Sequence, residues 1–291
     1  MKSHVRPSSA RLPKKMEDIT AEYAVEQLAP GMELRIRPKV TIAAKTDLGR
    51  TRENNEDKFE FYLPEDENQL ATRGQIFLVC DGMGGHAAGQ FASELACKTF
   101  IDVYLHHPAT DPEVAMAAAV MAANRYVVDV GRMIPAKKGM GTTLSGLVLI
   151  QDSAYVVHVG DSRAYRLRQG ELLRLTEDHT WIEEAIKEGV ITADERDYHP
   201  YKHVLTRAIG IEGDLKPDIE RFDLKTGDVF LLCSDGLINH VSDEAIGEVL
   251  RTKLAAEAAW ALVGQALQGG GSDNTTVLLV RVDDLEEVQA T

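Results

Sequence analysis

The sequence predicts an α+β fold in which antiparallel sheets carry helices on their outer faces. Segments rich in β-branched and aromatic residues alternate with helical segments from Val40 onward. Consecutive strand segments such as 142–150 and 154–159 lie too close for a crossover helix, so they indicate antiparallel hairpins. Helical segments come in pairs, and each pair can cover one outer sheet face. The strand segments lie near residues 40–45, 57–63, 75–80, 142–150, 154–159, 163–168, 229–233 and 275–282.

The first helix pair lies between the strands at 75–80 and 142–150. Its first member, at about 87–104, is rich in alanine and other apolar residues. The second member begins with Asp111 as N-cap and Pro112 at the first helical position. One stripe along it has the pattern of a face that packs against a core, and it consists of Val114, Ala118, Met121, Arg125 and Val128.

A second helix pair follows Ser242. Its first helix runs through Leu250, and its second extends from Leu254 to Leu267. The glycine run 269–271 comes next, and glycine after a periodic segment is typical of a helix end. Strand clusters interrupted by helix pairs therefore account for most of the chain after residue 40.

Length and composition restrict the class of protein. The chain has 291 residues, of which 44% are apolar, enough for a hydrophobic core in one large domain or two small ones. The formal charge of −14 argues against a nucleic-acid partner, because phosphate backbones require a basic surface. An acidic protein that acts on anions needs metal ions to reverse the local charge.

The cysteines and the hydropathy pattern predict the compartment. Cys80, Cys97 and Cys233 lack CxxC spacing, and two of them lie in predicted core strands, so we expect buried reduced thiols. Reduced thiols favour a reducing compartment. We find no run of about 18 apolar residues and no signal-peptide core, so we expect no membrane span, no export and a cytoplasmic location.

The first 39 residues differ from the rest of the chain. A basic stretch that includes Lys2, Arg11 and Lys15 precedes a short helical segment at 19–29. This composition predicts a disordered or loosely docked tail, and a specific targeting or docking role is the alternative.

Four aspartates stand where apolar strand segments meet glycine, serine or asparagine. Asp81, Asp161 and Asp235 follow such segments, and Asp273 precedes one. A single aspartate in this position is usually a turn former. Repetition favours another interpretation, because carboxylates at the ends of buried strands are costly unless cations offset their desolvation. The pattern therefore predicts a divalent-metal site built from oxygen ligands.

The glycine-rich segment after Asp81 has a competing interpretation. Gly82, Gly84 and Ala87 satisfy the loose dinucleotide-binding fingerprint. A Rossmann unit requires a parallel βαβ arrangement, whereas two helices and a glycine turn separate these residues from the next strand. It would also place the charge of Asp81 where a pyrophosphate should bind. A nucleotide-dependent oxidoreductase is therefore the weaker hypothesis.

A run of arginines and acids precedes the strand at 57–63. Residues 50–57 contain two arginines and three acids, which is usually the composition of a solvated turn. If these acids lie at the same sheet edge as the four aspartates, an arginine beside them can bind an anionic substrate through two parallel hydrogen bonds.

Six motifs occur in a fixed order along the chain: Arg52-x-x-Asn55-Glu56-Asp57, Asp81-Gly82-Met83-Gly84-Gly85-His86, Gly139-Met140-Gly141-Thr142-Thr143, Val159-Gly160-Asp161-Ser162-Arg163, Ser234-Asp235-Gly236-Leu237 and Asp273-Asn274. In this order they resemble the motifs of the metal-dependent PPM/PP2C protein phosphatases of bacteria. The resemblance covers a domain at 40–282 and leaves an N-terminal tail at 1–39 and a C-terminal tail at 283–291. Stretches between Leu175 and Gly210 also resemble the family's segment that includes a mobile flap.

The resemblance implies a fold and an activity. The fold is a four-layer αββα sandwich, two antiparallel sheets flanked by helix pairs. The activity is hydrolysis of phosphoserine and phosphothreonine in proteins by a water that bridges two Mg²⁺ or Mn²⁺ ions. The alternative is a catalytically weak pseudophosphatase that binds phosphoproteins or a regulator. The implied partners are phosphorylated proteins, with a Ser/Thr kinase and its substrates, and we expect a monomer.

The resemblance also assigns metal ligands. Asp81 would bridge the two ions, and the backbone carbonyl of Gly82 would bind one of them. Asp235 and Asp273 would bind the other ion. Asp161 would bind a third, weaker metal. Ligands that offer only oxygen favour Mg²⁺ or Mn²⁺ over Zn²⁺.

Three further roles concern water, phosphate and the leaving group. By resemblance, Glu56 and Asp57 would hold metal-bound waters, and Arg52 would bind the phosphate. The leaving alkoxide needs a proton, and His86 is the candidate general acid. In animal members of the family the corresponding histidine follows Asp-Gly directly, whereas three residues intervene here. The alternative role for His86 is to cap or orient the helix that follows.

Overall fold

The computed structural model of the protein describes residues 33–85 and 87–288. Some of the residues for which the sequence makes predictions lie outside these ranges. His86, the candidate general acid, lies outside the described residues. Residues 1–32, most of the predicted N-terminal tail, and 289–291, the end of the predicted C-terminal tail, also lie outside them.

Two five-stranded antiparallel sheets form the centre of the fold. The described strands are β1 Ile36–Asp47, β2 Lys58–Tyr62, β3 Gln75–Cys80, β4 Gly82–Met83, β5 Gly141–Thr142, β6 Leu144–Ile150, β7 Ser153–Val159, β8 Arg163–Arg168, β9 Glu171–Arg174, β10 Asp218–Asp223, β11 Val229–Cys233 and β12 Thr275–Glu287. The first sheet has the order β1-β12-β11-β8-β9, and the second has the order β10-β7-β6-β3-β2. A separate ribbon pairs β4 with β5.

Helices account for the two outer layers. The described helices are α1 Glu67–Arg73, α2 Ala87–His106, α3 Pro112–Met133, α4 Trp181–Lys187, α5 Asp235–Ile238, α6 Asp243–Thr252 and α7 Ala255–Gln268, with 3₁₀ turns at Pro135–Lys137 and Ala193–Tyr198. The predicted cap of α3 is confirmed, because Asp111 accepts a hydrogen bond from the Glu113 N–H. In α6, Ser242 is the N-cap and accepts a hydrogen bond from the Ala245 N–H.

Side-chain alternation along each strand separates the core into layers. In β3, Phe77 and Val79 point between the sheets, where Phe230 and Leu278 of the first sheet meet them. Ile76 of β3 points the other way, toward the helices. All these side chains are buried, and each contributes on the order of 2 kcal/mol of hydrophobic stabilisation.

The outer faces of both sheets are covered by the two helix pairs. Phe100 of α2 and Met116 of α3 pack on the second sheet, and Ile246 of α6 and Leu262 of α7 pack on the first. The predicted α+β fold, two antiparallel sheets flanked by helices, is therefore confirmed. The predicted hairpin of β6 and β7 is also confirmed, because Ile150 pairs with Ser153 across its turn.

The predicted apolar stripe on α3 is wrong about which face packs. The predicted stripe faces outward, because two of its members, Val114 and Met121, are 51% and 53% exposed. The buried face consists of Ala115, Met116, Ala119, Val120, Ala123 and Val127. Both faces of α3 are apolar, so periodicity alone cannot choose between them. Alanines on the buried face allow α2 to approach closely, which decides the packing.

Helix α3 is long and apolar enough to cross a membrane by length and composition, although the sequence predicts no membrane span. This is weak evidence for a span, because core helices of soluble proteins pass the same test. Since one side of α3 is buried against α2 and β6, we assign it to the core.

Two edge strands lack a clear pattern in the sequence. Strand β10 has the sequence Asp-Ile-Glu-Arg-Phe-Asp and forms one edge of the second sheet, so its outward residues are polar. Strand β9 is a short edge strand of the first sheet. Edge strands bury little apolar surface, and their sequence signal is correspondingly weak. Pairing of β1 with β12 runs from Ile36 to Glu287, beyond residues 40 and 282, and these domain boundaries stay predictions.

The cysteines are free and buried, as predicted. Cys80 and Cys97 lie in contact, with their Sγ atoms 3.3 Å apart, where the end of β3 meets α2. Burial is the main reason why the pKa of Cys80 and that of Cys233 lie above the ordinary thiol range. The thiol form of each is therefore favoured at neutral pH.

Candidate functional site

The four predicted aspartates come from strand ends at one side of the sandwich. Asp81 directly follows β3, Asp235 begins α5 after β11, and Asp273 precedes β12. Asp161 occupies the turn between β7 and β8. The Asp235 carboxyl lies within hydrogen-bonding reach of Asp81, so residues far apart in sequence meet here.

Burial and mutual repulsion dominate the electrostatics of this group. Burial raises the pKa of Asp81 well above its usual range, and the nearby carboxyls of Asp57, Asp235 and Asp161 raise it further. Burial likewise raises the pKa of Asp161 and of Asp235, with the nearest acid adding to the effect in each case. These acids lie close enough together to repel one another when ionised.

Asp57 is buried beneath this group. Its Oδ2 accepts a hydrogen bond of 2.7 Å from the Ser234 hydroxyl, whereas its Oδ1 is buried and has no hydrogen-bond partner among the described residues. Burial raises the pKa of Asp57 to about 7, against the lowering effect of the Ser234 and Thr276 hydroxyls. An unpaired buried carboxylate oxygen is costly, and a bound water or cation would satisfy it.

Glu56 is fixed by its backbone. Its carbonyl accepts hydrogen bonds from the Gly82 N–H at 3.2 Å and from the Ser93 hydroxyl at 2.7 Å. A Cβ on Gly82 would lie 2.3 Å from the Gly89 carbonyl oxygen and 2.5 Å from that of Glu56. Glycine at 82 therefore lets three backbone segments meet beside Asp81, and no other residue fits without moving them.

Asn274 is a structural residue of the site whose role the sequence did not reveal. Its Oδ1 accepts the Glu56 N–H at 2.8 Å, and its Nδ2 donates to the carbonyls of Leu48 and Asn54 at 2.9 and 3.0 Å. The amide thus joins the start of β12 to the loop that carries Glu56. The sequence shows Asp273-Asn274 as a motif, but only the fold shows which loop the Asn274 amide is hydrogen-bonded to.

Arg52 pairs with a predicted metal ligand. Its Nη2 lies 2.6 Å from Asp273 Oδ2, and its side chain is 51% exposed. Pairing with Asp273 is the first cause that raises the pKa of Arg52, and Glu56 and Asp81 add to it. The guanidinium is therefore at the mouth of the acid group, with one side open to solvent. An exposed ion pair of this kind stabilises the fold by about 1 kcal/mol at most.

A cavity of about 450 Å³ adjoins the acids. Asp161 and Asp235 lie on its wall, and His203, 4.0 Å from Asp235, lines the same space. Lys202 adds a positive charge to this rim. Its volume lies within the range of small-molecule binding sites.

The donor set suits hard divalent cations. Glu56, Asp57 and the four aspartates offer only oxygen, the ligand that Mg²⁺ and Mn²⁺ prefer. No group of three His, Cys, Asp or Glu side chains within 33–85 and 87–288 is already arranged to hold a metal ion. The acids are therefore a set of donors and not a finished coordination sphere. Their mutual repulsion and the unpaired Asp57 oxygen are the features that a cation would relieve.

Comparison with known proteins identifies the family. The family model for protein phosphatase 2C matches residues 50–267. The chain belongs to the protein phosphatase 2C family. All site motifs except Asp273-Asn274 lie within this match.

Two bacterial members of the protein phosphatase 2C family are similar to most of this chain. The chain is 37% identical over 252 residues to the serine/threonine protein phosphatase PstP of Mycobacterium tuberculosis. This alignment covers 87% of the chain and 47% of PstP. The chain is 36% identical over 244 residues to the serine/threonine phosphatase stp of Listeria monocytogenes, covering 82% of this chain and 94% of that protein. The chain thus spans about half the length of the mycobacterial relative.

A solved structure of the PstP catalytic domain, in complex with two manganese ions, has the same fold. The two chains are 38% identical, with a TM-score of 0.72, over 84% of this chain and 99% of that one. Membership of the protein phosphatase 2C family therefore agrees with the sandwich and with the acidic donor set.

A buried histidine near the site predicts how stability depends on pH. Burial lowers the pKa of His158 to about 3, and neighbouring His179 lowers it further. Between pH 6.5 and 3 the folded state binds fewer protons than the unfolded state, so stability falls on acidification by up to about 1.4 kcal/mol per pH unit. We expect His158→Gln to flatten this dependence in urea unfolding at pH 7, 6 and 5. Parallel curves for the variant and the parent protein would contradict it.

Proposed function

We propose that the chain is a Mg²⁺- or Mn²⁺-dependent protein phosphatase that hydrolyses phosphoserine and phosphothreonine. The observation that carries the proposal is the meeting of Asp57, Asp81, Asp235 and Asp273. Burial, and then repulsion from neighbouring carboxylates, raises the pKa of Asp57, Asp81 and Asp235. A phosphate monoester is an anion, and an acidic pocket cannot bind it alone. Cations are the natural link between the two.

Two divalent cations, when bound, neutralise the phosphate oxygens and lower the pKa of a water between them. Asp81, Asp235 and Asp273 would hold these cations, together with the Gly82 carbonyl. Glu56 and Asp57 would orient waters from below, and the unpaired Asp57 Oδ1 is available for such a hydrogen bond. Asp161, on the wall of the cavity, would hold a third and weaker cation.

Arg52 would bind the phosphate. Its guanidinium is held at 2.6 Å from Asp273 and is half exposed, so it can turn toward an incoming anion at small cost. A planar guanidinium forms two parallel hydrogen bonds with phosphate, which fixes its orientation for attack.

The partners and compartment follow as proposals. The substrates would be phosphorylated proteins, and a Ser/Thr kinase that modifies them would be the opposing enzyme. The relatives in M. tuberculosis and L. monocytogenes carry the name serine/threonine phosphatase, which supports this substrate class. The buried free thiols support a reducing, cytoplasmic location, and we propose a monomer.

Turnover of a phosphothreonine peptide tests the proposal. We expect release of phosphate with Mn²⁺, none with EDTA, and a loss of at least about a hundredfold in Asp235→Asn, because Asp235 supplies one of few negative ligands. A protein that binds phosphopeptide tightly without releasing phosphate would be a pseudophosphatase. Turnover that persists in EDTA would contradict a role for metal ions.

The candidate general acid gives a separate prediction. We expect His86→Gln to slow hydrolysis of phosphopeptides by about a hundredfold, with a much smaller effect on nitrophenyl phosphate. A serine or threonine alkoxide needs a proton on leaving, whereas nitrophenolate does not. Equal losses on the two substrates would remove this role from His86.

A further inference from the structure

His179 is a buried side chain that joins separate segments next to the site. Its backbone N–H donates to the Gly160 carbonyl at 2.7 Å, and its Nδ1 accepts the Gly160 N–H at 3.1 Å. Its Nε2 lies 2.9 Å from Asp218 Oδ2 of β10. Its carbonyl accepts the Thr206 N–H at 2.8 Å. One residue therefore contacts the turn before Asp161, an edge strand and a third segment further along the chain.

The hydrogen bonds define the protonation state of the ring. Since Nδ1 accepts from a backbone amide, Nε2 carries the proton and donates to Asp218. Burial lowers the pKa of His179, which favours this neutral form. Asp218 also receives the Arg207 guanidinium at 2.7 Å, so the carboxylate is held from two sides.

Residues 181–204 contain α4 and a 3₁₀ turn and are called here the flap loop. The two ends of this segment are hydrogen-bonded to each other close to His179. The Trp181 N–H donates to the Val204 carbonyl at 2.8 Å, and Thr180 bridges to Leu205. The Trp181 ring stacks on His199 with centroids 4.8 Å apart. Both ends of the flap loop therefore meet at one base, and His179 and Thr206 flank that base.

The turn before Asp161 has little freedom of its own. Gly160 has φ +111°, a conformation that favours glycine, and a Cβ there would lie 2.5 Å from Thr143 Cγ2. Both backbone hydrogen-bonding groups of Gly160 are satisfied by His179. The direction in which Asp161 leaves the turn therefore depends on where His179 lies.

We propose that His179 is a positioning residue that couples the flap loop to the Asp161 carboxylate. A shift at the base of the flap loop moves His179, the Gly160 peptide follows through two hydrogen bonds, and the affinity of Asp161 for a divalent cation changes. The consequence for phosphatase turnover rests on the proposed function, whereas the coupling itself does not.

Two isosteric variants separate the contacts of the ring. Asparagine places its Oδ1 where Nδ1 lies, so His179→Asn keeps the acceptor for Gly160 and loses the donor to Asp218. Glutamine places its amide where Nε2 lies, so His179→Gln keeps the donor to Asp218 and loses the acceptor for Gly160. The matched control is His106→Gln, because His106 is exposed on α2.

The readouts are amide hydrogen exchange and the Mn²⁺ titration isotherm. For His179→Gln we expect faster exchange at Gly160 and a weakest Mn²⁺ step about fivefold weaker, the equivalent of one hydrogen bond. For His179→Asn we expect protection of Gly160 and Mn²⁺ affinity within about twofold of the parent. His106→Gln should match the parent protein in both.

Other outcomes would overturn the coupling. Exchange that rises equally throughout the domain in His179→Gln would show a purely structural histidine. If that variant does not fold, a fivefold loss of Mn²⁺ affinity in His179→Asn would still exclude the role of the Gly160 contact. If the parent protein does not hydrolyse phosphopeptides but the variants still differ in amide exchange and Mn²⁺ affinity as expected, the proposed function is wrong and the coupling is supported.

Discussion

Replacing Asp81 by asparagine is expected to abolish metal-dependent turnover and to stabilise the protein in EDTA. Burial and then the charges of Asp57 and Asp235 raise the pKa of Asp81, so at pH 7 this carboxyl lowers the stability of the folded state relative to a neutral side chain. Asparagine removes that cost and keeps the shape. The backbone of residue 81 stays anchored, because Thr143 Oγ1 accepts its N–H at 2.9 Å and Thr142 donates to its carbonyl.

The two effects of Asp81→Asn have opposite signs and separate measurements. Phosphopeptide turnover with Mn²⁺ should fall by at least about a hundredfold. The melting temperature in EDTA at pH 7 should rise by about 2 to 4 °C, the shift for 1 kcal/mol in a domain of this size. The rise should shrink as the pH falls and vanish below about pH 3.9, the ordinary pKa of aspartate, because the carboxyl is then protonated in both the folded and the unfolded state.

Asp102→Asn is the control for this prediction, since Asp102 is an exposed acid on α2. It should change stability by less than about 0.5 kcal/mol. A melting temperature that falls in Asp81→Asn with EDTA would show that Asp81 is stabilised by its surroundings. That result would remove the central electrostatic argument for a cation site.

Replacing Gly82 by alanine is expected to destabilise the domain by about 3 kcal/mol or more. The new Cβ would lie 2.3 Å from the Gly89 carbonyl oxygen and 2.5 Å from the Glu56 carbonyl oxygen. Both are backbone atoms, so relief requires β4, the start of α2 and the Glu56 loop to separate. Urea unfolding followed by circular dichroism measures the loss.

Gly264→Ala is the matched control for a glycine-to-alanine change. Gly264 lies in α7, and no atom would come within 4 Å of its Cβ. We expect a gain of about 0.5 to 1 kcal/mol, because alanine restricts the unfolded chain and favours the helix. If the Gly82→Ala protein is as stable as the parent, the three backbone segments can move apart to admit a Cβ that would otherwise lie 2.3 Å from the Gly89 carbonyl oxygen.

Most of the fold could be predicted because its strands and helices have strong patterns. The buried strands β3, β6 and β11 are continuous apolar runs, and α3 and α6 begin with standard caps. The local sequence pattern could not predict which face of α3 is buried, because this depends on packing against other helices. Both faces of α3 carry apolar residues, and the one with small alanines packs against α2, whereas β10 is an edge strand with polar residues.

The site was predictable as a set of residues but not as an arrangement. Repeated aspartates at strand ends indicated that Asp81, Asp235 and Asp273 converge, since carboxylates there require compensation. The pairing of Arg52 with Asp273 and the bridging role of Asn274 join residues more than 200 positions apart in sequence. Such contacts depend on how the two sheets stack, which no local pattern contains.

The position of β12 in the first sheet has a consequence for biosynthesis. It lies between β1 and β11, so it joins the first described strand to the rest of the sheet, and Asp273 immediately precedes it. A nascent chain cannot complete this sheet until residues up to about 287 have left the ribosome. Asp273 therefore cannot join the other acids until the chain through β12 has been synthesised.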